Sequence, residues 1–342
     1  MHRNGSTSIP VLIFLTIISL LALGLPLIIQ SFTRYAVESR KDFALKRELI
    51  EKADEIVDLL LARDPEEVDS RFDSIFSKIA DGEAFEITLD DVSSYLGLNW
   101  SRKSILVASD LLLDSESSAQ ELQQHREDTG LYLDLEEGYG SFFSDDLVLE
   151  EHFTPYSYFN INVSDEFVLR KLYEIRTGDK IKAELFHTKV QNYRIQTKEE
   201  RFIQPEELIE FLGLDYEVLY PVVNAEPVIN VNFAPPSVLR AVLIVSGIEQ
   251  PDETVDSLQQ SRDTRPLSRE ALEFILGDAF ADSPVGQYLG HRTWFWRLRV
   301  SKDSGTLTWI LARIPPFATP EGSVGELSEK TALRLVEESY NL

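Results

Sequence analysis

Ile229-Asn230-Val231-Asn232-Phe233-Ala234-Pro235-Pro236 is the stretch on which the reading of this chain turns. It joins a short extended Ile-Asn-Val to a polar cap and to two prolines suited to a first helical turn. Val238-Leu239-Arg240-Ala241-Val242-Leu243 then carries the paired apolar residues of a helix, and Gly247 is a natural stop. Asn232 is expected to bond free N–H groups at the helix start.

The same logic occurs once more upstream. Phe159-Asn160-Ile161-Asn162-Val163-Ser164 precedes a helical run from Phe167 to Tyr173, and its Ile161-Asn162-Val163 lies 68 residues ahead of Ile229-Asn230-Val231. Between the two copies runs Phe202-Ile203-Gln204-Pro205-Glu206-Glu207-Leu208-Ile209-Glu210-Phe211-Leu212-Gly213. Glu206 and Glu207 in the first turn complement the helix dipole, while Leu208, Phe211 and Leu212 share one side. Nothing else in the chain reads as a solenoid-type repeat array.

Towards the N-terminus, Ile9 to Ile29 contains no charged residue, long enough to cross a bilayer as a helix of about 20 residues. Ile9, Leu15, Leu20 and Ile29 are among its apolar side chains; Pro10 suits a first turn, and Pro26 should kink the far end. Apolar residues at Leu45, Leu49, Ala53, Ile56 and Leu60 continue the helix until Asp64-Pro65 ends it. The result is a rod of about fifty residues, roughly 75 Å at 1.5 Å per residue. Beyond it the spacing predicts a short helix in 65–80, a strand in 85–89, partly helical structure in 90–113 and an exposed polar segment in 116–127.

The C-terminal third predicts an exposed loop or helix over 250–262, then a helix from Arg269 to Leu276 capped by Ser268. Two strands, 294–300 and 307–314, flank the turn Lys302-Asp303-Ser304-Gly305. Trp294, Trp296, Leu298 and Val300 are expected on one face, with Arg297 and Arg299 on the other. From Pro315 a tail ends in an amphipathic helix carrying Leu327, Leu333, Leu335 and Val336.

These elements, taken in order, resemble the K class of minor pseudopilins of type II secretion systems (general secretion pathway protein K). In that family an Ile-Asn-hydrophobic-Asn segment opens a helical region, a Phe-x-x-x-Glu-Glu-Leu helix with a following Gly comes next, and Ile-Asn-Val-Asn-x-Ala leads into the last helices. Asn160 and Asn162 stand for the first, with Asn162-Val-Ser replacing Asn-x-Asn. Glu207, Leu208 and Gly213 stand for the second. Asn230, Asn232 and Ala234 stand for the third, with Phe233 where Thr is usual. Residues 64–156 match only in general character. The short leader Arg3-Asn4-Gly5-Ser6 resembles that of prepilins, which a prepilin peptidase cuts after the glycine. Here the cut would fall between Gly5 and Ser6, followed by methylation of the new N-terminus. Ser6 replaces the usual Phe or Met, and Pro10 stands where most pilins have Glu at the fifth mature position, a Glu that the K class lacks.

The resemblance implies an α+β chain with the pseudopilin fold: a long N-terminal transmembrane helix packed on a small antiparallel sheet, with a large α-helical, SAM-like insertion. Its expected divisions are a leader (1–5), membrane and stalk helix (6–63), first part of the globular domain (64–163), inserted helices (164–292), C-terminal β-hairpin (293–314) and tail (315–342). It implies a single-pass protein of the bacterial inner membrane with its bulk in the periplasm. The flanking charges, Arg3 against Arg34, Arg40 and Lys41, lean weakly the other way. Implied partners are the I- and J-class minor pseudopilins, the major pseudopilin, the inner-membrane secretion platform and prepilin peptidase. The alternative is a single-span extracytoplasmic scaffold or sensor with no filament role.

Composition narrows the rest. Of 342 residues, 58 are acidic and 33 basic, for a net charge of −25, which repels phosphate backbones. Ile-Asn-Val-Asn-x-Ala also opens DNA-binding helical hairpins, but Val245-Ser246-Gly247-Ile248-Glu249 lacks their Gly-x-Gly turn and nearby basic residues, so no nucleic acid is expected. There is no cysteine, hence no thiolate nucleophile or zinc–thiolate site. His2, His125, His152, His187 and His291 stand alone without metal-ligand or catalytic spacing, and no nucleophile elbow or phosphate loop occurs. The chain is therefore not expected to be an enzyme, and no cofactor is assigned. Residues 134–151 hold seven acidic and no basic residues; a solvated loop is the plainer reading, with calcium left open and unassigned.

Overall fold

The computed structural model describes residues 8–63, 68–80, 84–128, 130–131, 142–143, 147–196, 203–315 and 333–341, with backbone alone at 8–32, 80, 195–196, 206 and 281–282. It opens with α1 (Ser8–Leu61), one helix of 54 residues, followed by α2 (Ser74–Ala80) and strand β1 (Glu86–Asp91). Next come β2 (Leu96–Gly97), α3 (Lys103–Ala108), α4 (Ser115–Asp128) and β3 (Phe153–Thr154). A second group follows: β4 (Phe159–Asn160), α5 (Glu166–Thr177), α6 (Lys180–Gln196), α7 (Leu208–Leu212), α8 (Tyr216–Leu219) and β5 (Val223–Asn224). A third holds β6 (Ile229–Asn230), α9 (Pro236–Val245), α10 (Pro251–Arg262), α11 (Arg269–Leu276), α12 (Asp278–Asp282), α13 (Val285–Tyr288) and β7 (Leu289–Gly290). The described chain ends with β8 (Phe295–Lys302), β9 (Gly305–Arg313) and β10 (Leu333–Asn341).

The protein is thus α+β, with a four-stranded antiparallel sheet in the order β1-β8-β9-β10. Leu49, Ala53, Ile56 and Leu60 recur every three or four residues along α1 and are fully buried, a stripe that a 3.6-residue period places on one side. They meet Trp296, Leu298, Val300, Leu307, Trp309 and Leu311, the alternate residues of β8 and β9. Burying each of these large side chains contributes about 1.5–3 kcal/mol, which fixes the stalk on the sheet. Gly305 permits the closest approach, because a Cβ there would lie 2.8 Å from Cδ2 of Leu45. Among residues described with side chains, no helix is long and apolar enough to cross a membrane. The run Ile9–Ile29 belongs to the part of α1 described as backbone alone.

Several expectations change. The tail is not helical where it is described: Leu333–Asn341 is β10, paired to β9 with a bulge between Leu335 and Glu337. The open edge of β9 overrides the helical spacing of its leucines, and Glu337 and Glu338 give the new edge a charge. Trp294 precedes β8, so the alternation does not reach it; it packs with Tyr158 and Phe295 and not with Trp296. Among the described residues of 65–80, helix covers Ser74–Ala80. The segment 116–127 is helical and turns Ala119, Leu122 and Arg126 inward.

Between the adjacent strands β1 and β8 the described helices begin well before the 164 expected for the insertion, with α3 and α4 preceding it. The insertion is a chain of three like modules, 96–154, 159–224 and 229–290, where the sequence reading found two copies and no array. In each module a two-residue strand opens the unit and pairs in parallel with the two-residue strand that closes it: β2 with β3, β4 with β5, β6 with β7. In each, a four-residue turn follows, with Ser101, Ser164 and Ala234 donating to the carbonyls of Gly97, Asn160 and Asn230 at 3.0, 2.9 and 3.0 Å. A helix then inserts an apolar pair, Ile105-Leu106, Val168-Leu169 or Val238-Leu239, into one continuous core.

Candidate functional site: the asparagine frame and the cleft beside it

The alignment by structure shifts the sequence reading by two residues, since Asn160-Ile161-Asn162 and not Asn162-Val-Ser is equivalent to Asn230-Val231-Asn232. The first Asn of each pair folds its Oδ1 back onto the N–H of the second, at 2.8 Å for Asn160 and 3.0 Å for Asn230. Its Nδ2 reaches the next unit. Asn160 donates to the carbonyl of Glu226, in the linker, at 2.8 Å and to that of Gln287, in the third module, at 3.2 Å. Asn230 donates to the Asp69 carbonyl and Thr293 Oγ1, both at 3.0 Å, tying the third module to the segments that flank the sheet. The second Asn holds a loop of its own module, and in the second module it also donates to Gln287 Oε1 of the third at 2.8 Å. Asn162 exchanges two bonds of 2.9 Å with the backbone of Ile203, and Asn232 does the same with Leu267. Asn232 therefore caps no helix start; α9 begins behind Pro235, and the buried carboxamide is used instead to hold a loop.

An inward-turned arginine completes each frame from the module's second helix, buried at Arg126 and Arg262 and half-buried at Arg194. Arg126 donates to the carbonyls of Leu98 and Ser101 at 3.0 and 2.7 Å. Arg194 takes Ile161 and Ser164 at 2.7 and 2.8 Å, and Arg262 takes Val231 and Ala234 at 3.0 and 2.6 Å. The turn carbonyls point inward with no helix to satisfy them, and one guanidinium supplies enough donors for both. In the first module Gly97 stands where the others have Asn, and the Trp100 indole fills the space.

The array is bolted to the sheet by a buried polar cluster. Asp69 accepts both Nη atoms of Arg313, at 2.6 and 3.0 Å, and the Thr293 N–H at 2.7 Å, with Arg63 also paired to it. Asp91 accepts the hydroxyls of Ser93, Ser94 and Thr293 at 2.6, 2.7 and 2.5 Å. Burial pushes the Asp91 carboxyl up to about 6; those hydroxyls oppose the rise and nearby Asp69 adds to it.

Where the second module, the third and the lead into β8 meet, a cleft of about 310 Å³ opens. Gln204, Glu226, Arg269, His291 and Arg292 supply its polar lining, and Leu272, Phe280, Leu289 and Trp294 its main apolar wall. Trp294 Nε1 is occupied by the Pro227 carbonyl at 2.6 Å. Burial, with Arg292 beside it, holds the His291 imidazole below its usual range.

Of the residues singled out from sequence, Asn160, Asn162, Asn230, Asn232 and Ala234 form the frame. Glu207 accepts the Gln204 N–H at 3.2 Å, Leu208 is buried, and Gly213 ends α7 at φ 60°. Gly5 and Ser6 lie outside the described residues, as do 134–141 and 144–146 of the acidic run. Ile9, Pro10, Leu15, Leu20, Pro26 and Ile29 lie on α1, described as backbone alone. Sequence reading missed the three frame arginines and the Asp69–Arg313 pair. A basic residue 28, 33 or 31 positions after the turn was the available signal for the former. No protein-family model matches the chain, and no curated protein is similar to it.

Proposed function

We propose that the chain is a minor pseudopilin of a type II secretion system, capping or initiating the tip of the pseudopilus and so helping export of folded proteins. One observation carries the reading: α1 lies along an antiparallel sheet as a single helix, and the whole helical array is inserted between two adjacent strands of that sheet. In this reading the apolar run Ile9–Ile29 holds the subunit in the inner membrane until assembly, with the bulk in the periplasm, and then packs among neighbouring pilin helices. Pro10 in place of Glu leaves the subunit unable to neutralise the N-terminal amine of one ahead of it. The three-module insertion adds bulk that blocks a subunit stacking above. Both features suit the first subunit of a filament, with I- and J-class minor pseudopilins below it.

The test is the intact mass of the full chain recovered from membranes with and without prepilin peptidase. A chain beginning at Ser6 only when the peptidase is present supports the reading. A chain beginning at Met1 in both overturns it and leaves an anchored scaffold or sensor.

A further inference from the structure

Arg292 is an anomaly in a chain with 58 acidic against 33 basic residues. Among the described residues Arg40, Arg265, Arg299 and Arg334 also make no side-chain bond, but all four are exposed. The other arginines that are not exposed bond carbonyls or carboxylates, and Arg269, in the same cleft, bonds Glu273 at 3.1 Å. Among the described residues no hydrogen bond or ion pair is made by the Arg292 side chain, and its Nε is buried without a partner. A guanidinium so placed lacks the fork-shaped carboxylate that matches it. Beside it stand Leu272, Phe280 and Leu289, and the volume of about 310 Å³ suits a small ligand or one end of a chain. Glu226 also lines the cleft, so its charge balance favours a single negative charge over a dianion such as phosphate.

We propose that this cleft binds the free carboxylate of an apolar-ended ligand, either the C-terminal residue of a peptide or a free monocarboxylic acid. Arg292 pairs with the carboxylate, and Leu272, Phe280 and Leu289 take the apolar body. His291, on the same lining, offers a further hydrogen bond. The proposal stands independently of the filament reading, because it needs only the junction of two modules.

The full chain in detergent is titrated calorimetrically with three probes: acetyl-Gly-Gly-Leu with a free carboxylate, the same peptide as its C-terminal amide, and 4-methylpentanoate. The expected result is saturable binding of the acid peptide, at least tenfold weaker binding of the amide, and loss of that preference in Arg292→Gln. Tighter binding of the peptide than of 4-methylpentanoate assigns the site to chain termini, and equal binding assigns it to free acids. Equal affinity for acid and amide, no binding of either acid, or a preference that survives Arg292→Gln overturns the proposal. The acid–amide comparison uses the unaltered protein and so holds even if the variant folds poorly.

Discussion

The carboxamide of Asn232 is bonded to both polar groups of Leu267: its Oδ1 accepts the Leu267 N–H at 2.8 Å and its Nδ2 donates to the Leu267 carbonyl at 3.1 Å. Both residues are buried, so no water replaces these bonds when the side chain is removed. Asn232→Ala then strands a donor and an acceptor, and a cost of about 2–4 kcal/mol is expected. Asn232→Asp keeps the acceptor, loses the donor and buries a charge, so it should be no better. Chemical denaturation of the full chain gives the cost, and hydrogen exchange at the Leu267 amide locates it. A loss below about 0.5 kcal/mol, that of an ordinary surface change, would show that the frame holds nothing.

Asp91 gives the fold a pH dependence whose sign follows from its burial. Its carboxyl sits at about 6 in the folded protein against 3.8 as its ordinary value. A raised folded value means that the contribution is fully present below 3.8 and is lost as pH rises through about 6. The gap corresponds to about 3 kcal/mol. Asn in its place cannot ionise, so whatever it costs is the same at every pH. The stability of the wild-type chain minus that of Asp91→Asn should therefore fall by about 3 kcal/mol between pH 3.5 and pH 7. A difference that stays flat over that range would place the Asp91 carboxyl at its ordinary value.

How much of this was legible in the sequence depends on which residue type carried the information. The β8–β9 hairpin was readable because Trp296, Leu298 and Val300 alternate about a two-residue turn, and periodicity of that kind is local. Asn160, Asn162, Asn230 and Asn232 were readable as a recurring pattern, but not in their register or their use. A carboxamide before a helix serves equally as a cap or as a clamp on a distant loop, and only the fold decides between Leu267 and the start of α9. The first module escaped notice because Gly97 replaces the first Asn of the pair, leaving Asn99 alone to mark it. Arg126, Arg194 and Arg262 were unreadable for another reason: an arginine on the inner side of a polar helix looks the same in sequence as an exposed one. The cleft depends on three segments far apart in the chain, and no window of sequence contains it.

The substitution at Gly97 makes the equivalence of the modules testable. A Cβ at Gly97 would stand 1.9 Å from Trp100 Nε1, and that indole is fully buried, 5.9 Å from the Tyr288 ring between centroids. Gly97→Asn, the residue of the other two modules, should therefore cost about 3 kcal/mol or more through overpacking. Trp100→Val alone opens a cavity and should cost about 3–5 kcal/mol. Together they recreate the Asn160–Val163 pairing of the second module: the asparagine enters the space that the indole leaves. The double variant should thus be at least about 2 kcal/mol more stable than the sum of the two single losses, a coupling that a double-mutant cycle reads directly. If the losses simply add, Gly97 is not the counterpart of Asn160 and Asn230, and the first unit resembles the others only in its outline.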